Sequence, residues 1–124
     1  MSHSILRDKT KEFAKNIIIL CRKMKDEKIE GVLISQLLRC STSIGANVHE
    51  AQYAQGIKDF ISKLEIALKE CNESDYWLEL LLETNSLSED DYKMYKGYVI
   101  EIRRMLVSSV TTLKEKLKYR KLQA

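Results

Sequence analysis

Proline is absent from this chain of 124 residues and glycine occurs only four times. The scarcity of both breakers excludes a turn-rich β fold and suits long uninterrupted helices. Cysteine is sparse as well. Cys21, Cys40 and Cys71 are odd in number, far apart and without a Cys-x-x-Cys pair, which argues against a disulfide framework or a zinc site. Each falls on an apolar stripe, where a reduced thiol serves as a small hydrophobe. Long hydrophobic runs are missing too: the longest strongly apolar stretch, Ile17 to Cys21, falls far short of the ~20 residues a bilayer span needs. No membrane association is expected, and the absence of a hydrophobic signal segment at the start points to the cytoplasm.

With 44% hydrophobic and 31% charged residues, the chain is neither disordered nor membrane-embedded. Its length fits one domain over residues 1–124 with a self-sufficient core. Charge is unevenly spread. Lys114, Lys116, Lys118, Arg120 and Lys121 against Glu115 give residues 114–124 a net +4, which with +3 overall leaves −1 for residues 1–113. Such a tail suits phosphate binding by counterion release and equally suits a helix end whose cations complement the macrodipole.

Helical periodicity divides the chain into four segments. The first, about 4–25, places Leu6, Thr10, Phe13, Ile17, Leu20, Cys21 and Met24 on one face, with Ser4 as its N-cap. The second, about 32–54, ends before Gly56, which reads as a helix stop. Here Leu33, Leu37, Cys40, Ile44, Val48 and Ala51 share one sector, and Gln36, Arg39, Ser43, Asn47 and Glu50 share the adjacent one. A helix needing only solubility would set its charges opposite the apolar seam. This polar row therefore points to partner groups on a neighbouring helix or subunit.

The third segment, about 58–84, carries Phe60, Leu64, Ala67, Leu68, Cys71, Leu78 and Leu82 on its seam, with Asp75 in the same sector. An acid there needs a cationic or hydrogen-bonding partner, and Arg39 is the nearest by type. Segment four, about 88–119, opens on Ser88-Glu89-Asp90-Asp91, a capping-box pattern. Its seam runs Tyr95, Tyr98, Ile102, Leu106, Ser109 and Leu113, and Gly97 within it marks an expected close helix contact. Four such helices joined by short connections predict an all-α, antiparallel up-down-up-down four-helix bundle.

Several apolar side chains lie off these seams: Ile18 and Ile19, then Ile66, Trp77 and Leu80, then Ile100 and Val107. One subunit does not cover them all, so a homo-oligomer interface is expected there, with Trp77 as anchor. Chemistry is scarcer. A di-iron site needs two Glu-x-x-His pairs, and only His3 and His49 exist. His49, beside Glu50, reads as a surface histidine rather than a phosphotransfer residue. Ser41 and Ser43 lack a general base at triad-like spacing, and no Gly-rich phosphate loop occurs. Arg39, Ser43, Asn47, Glu50, Glu73 and Asp75 read as an interhelix or intersubunit polar network. An enzyme would need them to line an open pocket. No cofactor or metal is expected.

Two stretches carry a family resemblance. Gln36-Leu37-Leu38-Arg39 with Thr42-Ser43-Ile44-Gly45-Ala46-Asn47 and Glu50-Ala51, then Asp59-Phe60-Ile61 through Ile66-Ala67-Leu68-Lys69-Glu70, Glu73 and Tyr76-Trp77-Leu78-Glu79-Leu80-Leu81, resemble the four helix bundle protein family. This is also known as the ribosomal RNA intervening-sequence protein family. The resemblance implies a small bacterial cytoplasmic protein, a left-handed bundle and a ring-like homopentamer. That family is in turn similar to the accessory protein of diversity-generating retroelements, a pentameric barrel whose basic surface contacts nucleic acid and reverse transcriptase. No biochemical activity comes with the resemblance. Cys40 and His49 depart from its usual small residues.

Taken together, these readings predict a non-enzymatic homo-oligomer that binds RNA or DNA through phosphates at Lys114, Lys116, Lys118, Arg120 and Lys121. The alternative is a scaffold that docks a protein partner on the oligomer surface.

Overall fold

Four helices follow the apolar periods: α1 His3–Asp26, α2 Gly31–Ala51, α3 Ile57–Glu83 and α4 Glu89–Gln123. The computed structural model describes residues 3–123, with side chains from Ile5 onward, and no strand occurs among them. Since α1 begins at His3, Ser4 lies inside the first turn rather than capping it, and its side chain is outside the described residues. Ser88 does cap α4: its Oγ accepts the Asp91 backbone N–H at 3.1 Å.

The upper turns close with two left-handed residues, neither of them glycine. After α1, Lys28 has φ 63°, Ile29 N–H reaches Met24 O at 3.0 Å and Lys28 N–H reaches Lys25 O at 3.0 Å. Asn85, φ 57°, repeats the pattern after α3 through Ser86 to Leu81 and Asn85 to Leu82. Both are Schellman caps, which satisfy carbonyls the helix end leaves free. Gly56 plays a different part from the helix stop expected of it. It precedes α3 in an extended conformation, φ 168°, and α2 has already ended at Ala51 in the turn through Gln52 and Tyr53.

Contacts between helices run antiparallel. Cys21 Sγ lies 3.9 Å from Ile34 O, Ser41 meets Ser74 at 3.1 Å, and Cys71 Sγ lies 3.6 Å from Val99 O. Each helix packs closely on the next in sequence, whereas α1 and α4 meet sparsely. Their seam is closed by Phe13 edge-on to Tyr98 and by Tyr95 Oη donating to Asn16 O at 2.9 Å. Lys9 pairs with Glu101 and Lys23 with Asp91 along it. Burial pushes the Tyr95 phenol up to about 12, so it remains a donor.

All seven expected seam residues of α1 are buried, as are Leu37, Cys40, Ile44, Val48 and Ala51 of α2. Rotation differs on the other two helices. Ile61, Ser74 and Leu81 join the core of α3 while Phe60, Leu68 and Leu82 are only half-buried, and Val99 and Val110 replace Tyr98 and Leu113 on α4. Each fully buried aliphatic side chain contributes about 1.5–3 kcal/mol. The three cysteines are free and buried, and desolvation pushes Cys21 and Cys71 up to about 11. No described helix is long and apolar enough to cross a membrane.

The close glycine contact is at Gly45, not at Gly97 as the sequence led us to expect. A Cβ on Gly45 would stand 3.3 Å from the backbone oxygen of the buried Thr10, whereas one on Gly97 meets nothing within 4 Å. Gly97→Ala is therefore expected to stabilise the bundle by about 0.5–1 kcal/mol, since alanine relieves the helical cost of glycine. Gly45→Leu should destabilise it by about 1–3 kcal/mol or more, by wedging α1 from α2. Thermal unfolding of both variants checks the pair.

Candidate functional site

Polar side chains gather in two separate clusters rather than one network. Between α2 and α3, Arg39 pairs with Glu73 and with Glu70 at 3.4 Å, and Gln36 Oε1 lies 3.4 Å from its guanidinium. Asn47 turns back on its own helix, donating to Ser43 O at 2.8 Å. Glu50 is exposed. Deeper in the same interface Ser41 donates to Ser74, which donates to Glu70 O at 2.9 Å, with Cys40 Sγ 3.3 Å away.

Asp75 belongs to the other cluster, on the α3–α4 side, and does not pair with Arg39 as expected by type. It accepts from Lys96 and from Arg103 Nη2, the latter at 2.6 Å, and Arg103 Nε donates to Asn72 Oδ1 at 3.0 Å. Neither Lys96 nor Arg103 was singled out from the sequence, although seven residues apart on one helix they share a face. Burial alone would raise the Asp75 pKa, but the two hydrogen bonds and the cations behind them outweigh it and hold the carboxyl below its ordinary value. A depressed folded pKa adds stability above the unfolded value and forfeits it as pH falls through the folded one. Asp75→Ala should thus cost about 1–3 kcal/mol at pH 7, and the gap from wild type should close below about pH 4. Urea unfolding at both pH values reads this directly.

Pairing of this kind ties helices together and leaves little unsatisfied for chemistry. The clefts beside α1 are lined by other residues. Among the described residues no group of three or more His, Cys, Asp or Glu stands ready for a metal ion.

The expected interface residues divide by exposure. Ile19 and Ile66 are 61% and 40% exposed, alongside Ile100 and Val107. Ile18, Trp77 and Leu80 are half-buried within the chain. Trp77 packs against the core under the edge of Tyr76, ring centroids 5.1 Å apart. Its indole N–H is buried and has no hydrogen-bond partner among the described residues.

The basic segment is the last part of α4. The pairs Lys9–Glu101, Asn16–Tyr95 and Lys23–Asp91 set a register that brings His3 level with about residue 108, so roughly 22 Å of α4 runs on without α1 beside it. α3 follows it at least to the Lys114–Glu65 ion pair at 2.8 Å. At 100° per residue, Lys114, Lys118 and Lys121 form one file and Lys116 and Arg120 another. The two files flank the half-buried Leu113 and Leu117. All five cations are exposed, and among the described residues only Lys114 has an ion-pair partner.

An antiparallel four-helix bundle tied by interhelical ion pairs, with a basic helix end that runs on past α1, sets the class of protein. Within it, the chain belongs to the 23S rRNA-intervening sequence protein family, whose sequence model matches residues 3–108. It is similar to a protein of unknown function from the S23 ribosomal protein family of Bacteroides thetaiotaomicron, known from a crystal structure. The two are 43% identical over 90% of this chain and 99% of that one, with a TM-score of 0.87. No curated protein matches the chain. Neither comparison indicates an enzyme family. The family match stops short of all five C-terminal cations.

Proposed function

We propose that the protein is a non-enzymatic, cytoplasmic homo-oligomer, a pentamer by its family resemblance, that binds RNA or DNA through phosphates. The observation that carries this reading is the end of α4, where Lys116, Lys118, Arg120 and Lys121 stand exposed and, among the described residues, without ion-pair partners on a continuous helix. Repeated around a ring, such ends add up to a large cationic surface. Exposed Ile19, Ile66, Ile100 and Val107 supply apolar area for self-association.

Binding of this kind is salt-dependent and weakly selective for sequence. Light scattering after size exclusion, with and without structured RNA at low salt, tests both halves. A monomer that retains no RNA at micromolar concentration would end the proposal. A second reading rests on Tyr76, 56% exposed over the half-buried Trp77, as a docking point for another polypeptide. A stoichiometric protein partner that survives nuclease and is lost on Tyr76→Ala would favour it.

A further inference from the structure

Cations on α1 are treated differently on its two sides. Toward α4, Lys9 and Lys23 are each neutralised by a carboxylate across the seam, Glu101 and Asp91. Toward α2, Arg7 and Lys11 meet none, and among the described residues neither has an ion-pair partner or a side-chain hydrogen bond. They border a cleft of about 470 Å³ whose α2 wall carries His49 and no carboxylate. Asp8 is the one acid on it.

The cleft exists because its floor is small. Ala14, Gly45 and Ala46 line it, and Gly45 lies close against the Thr10 backbone, so no side chain fills the space between the helices. Thr42, also on the floor, spends its hydroxyl on Leu38 O at 2.8 Å. Arg7 and Lys11, four residues apart, project from one sector of α1. Beside the cleft the His49 ring contacts that of Tyr53, centroids 5.5 Å apart, and Tyr53 is 73% exposed. The volume lies within the range of about 300–1,000 Å³ common to small-ligand sites.

We infer that this α1–α2 cleft binds a single strand of nucleic acid, with Arg7, Lys11 and His49 around a backbone phosphate and Tyr53 stacked on a base. The inference rests on the nucleic-acid reading above for the class of ligand, and it adds a site within the family-matched residues, apart from the α4 end. Unneutralised cations beside an exposed aromatic are what single-strand sites combine, phosphate contacts for the backbone and a π surface that accepts any base. A duplex cannot offer an unstacked base to Tyr53, so the site discriminates against it.

The test uses the full chain with a labelled 15-mer of oligouridylate and with a duplex of equal length. Arg7→Glu with Lys11→Glu, both exposed and checked by circular dichroism, should weaken oligouridylate binding at least tenfold. The Arg7→Lys with Lys11→Arg pair should restore it. Tyr53→Ala should lose about 5- to 50-fold for the single strand and little for the duplex. Photocrosslinking from 5-iodouridine should reach Tyr53. Replacement of the four free α4 cations separates the two readings. If that variant alone loses binding and the cleft variants match wild type, the cleft inference falls and the proposed function stands. If the cleft variants lose all binding and the α4 variant none, the inference stands and the basic end is not the interface. Crosslinks confined to residues 112–123, or no binding of oligouridylate by the wild-type protein, overturn the inference.

Discussion

Replacing Lys116, Lys118, Arg120 and Lys121 by glutamine is expected to weaken RNA binding about a hundredfold near 0.1 M salt while leaving the bundle folded. Each phosphate contact contributes roughly 0.7–0.9 to the slope of log K against log salt. Loss of four should flatten that slope by about 3, a signature that a merely unfolded fraction would not produce. Glutamine keeps helix propensity close to that of lysine and arginine, so the end of α4 stays helical. The formal net charge moves from +3 to −1. A control with the same charge change on the body, at Lys58, Lys63, Lys69 and Lys93, should retain most of the affinity. Equal loss in the control would mean that overall charge, and not the α4 end, carries the binding.

Phe13→Ala is expected to cost about 3–5 kcal/mol, a fall in Tm of roughly 10–20 °C for a chain of this size. The ring is 2% exposed and meets Tyr98 edge-on with centroids 6.4 Å apart. It also borders the cleft of about 110 Å³ between α1 and α4, so the space left by truncation joins an existing void instead of collapsing. Contacts between these two helices are few, and the Tyr95–Asn16 hydrogen bond and two ion pairs are left to hold the seam. Phe13→Leu should cost far less, about 1–2 kcal/mol. Denaturant unfolding that placed Phe13→Ala within 1 kcal/mol of wild type would show that α1 is held by α2 alone.

Helix number, order and approximate limits were legible because a 3.6-residue apolar period over twenty or more residues is a strong signal. Rotation was legible where a helix has one dominant face, as on α1. It was less so on α3 and α4, where apolar side chains such as Ile66, Trp77, Ile100 and Val107 stand off the buried face and blur the period. The seam read at Tyr98 and Leu113 is centred on Val99 and Val110 instead. Glycine roles were not legible, since Gly45 and Gly97 are both helical and differ only in what stands opposite. Nor was the partner of Asp75. Charge type nominates Arg39, but the α3–α4 register delivers Lys96 and Arg103. The α1–α2 cleft escaped notice for the same reason, its two cations and its histidine lying nearly forty residues apart in sequence.

The three extensive helix interfaces all join neighbours along the chain, across links of four or five residues. Closing such short loops costs little entropy, and a fold rich in sequence-local contacts reaches its native state in microseconds to milliseconds. Only the α1–α4 seam asks distant parts of the polypeptide to find each other. Side chains there are expected to lock in last, so trimming them should hasten unfolding and leave the refolding limb of a chevron almost unmoved.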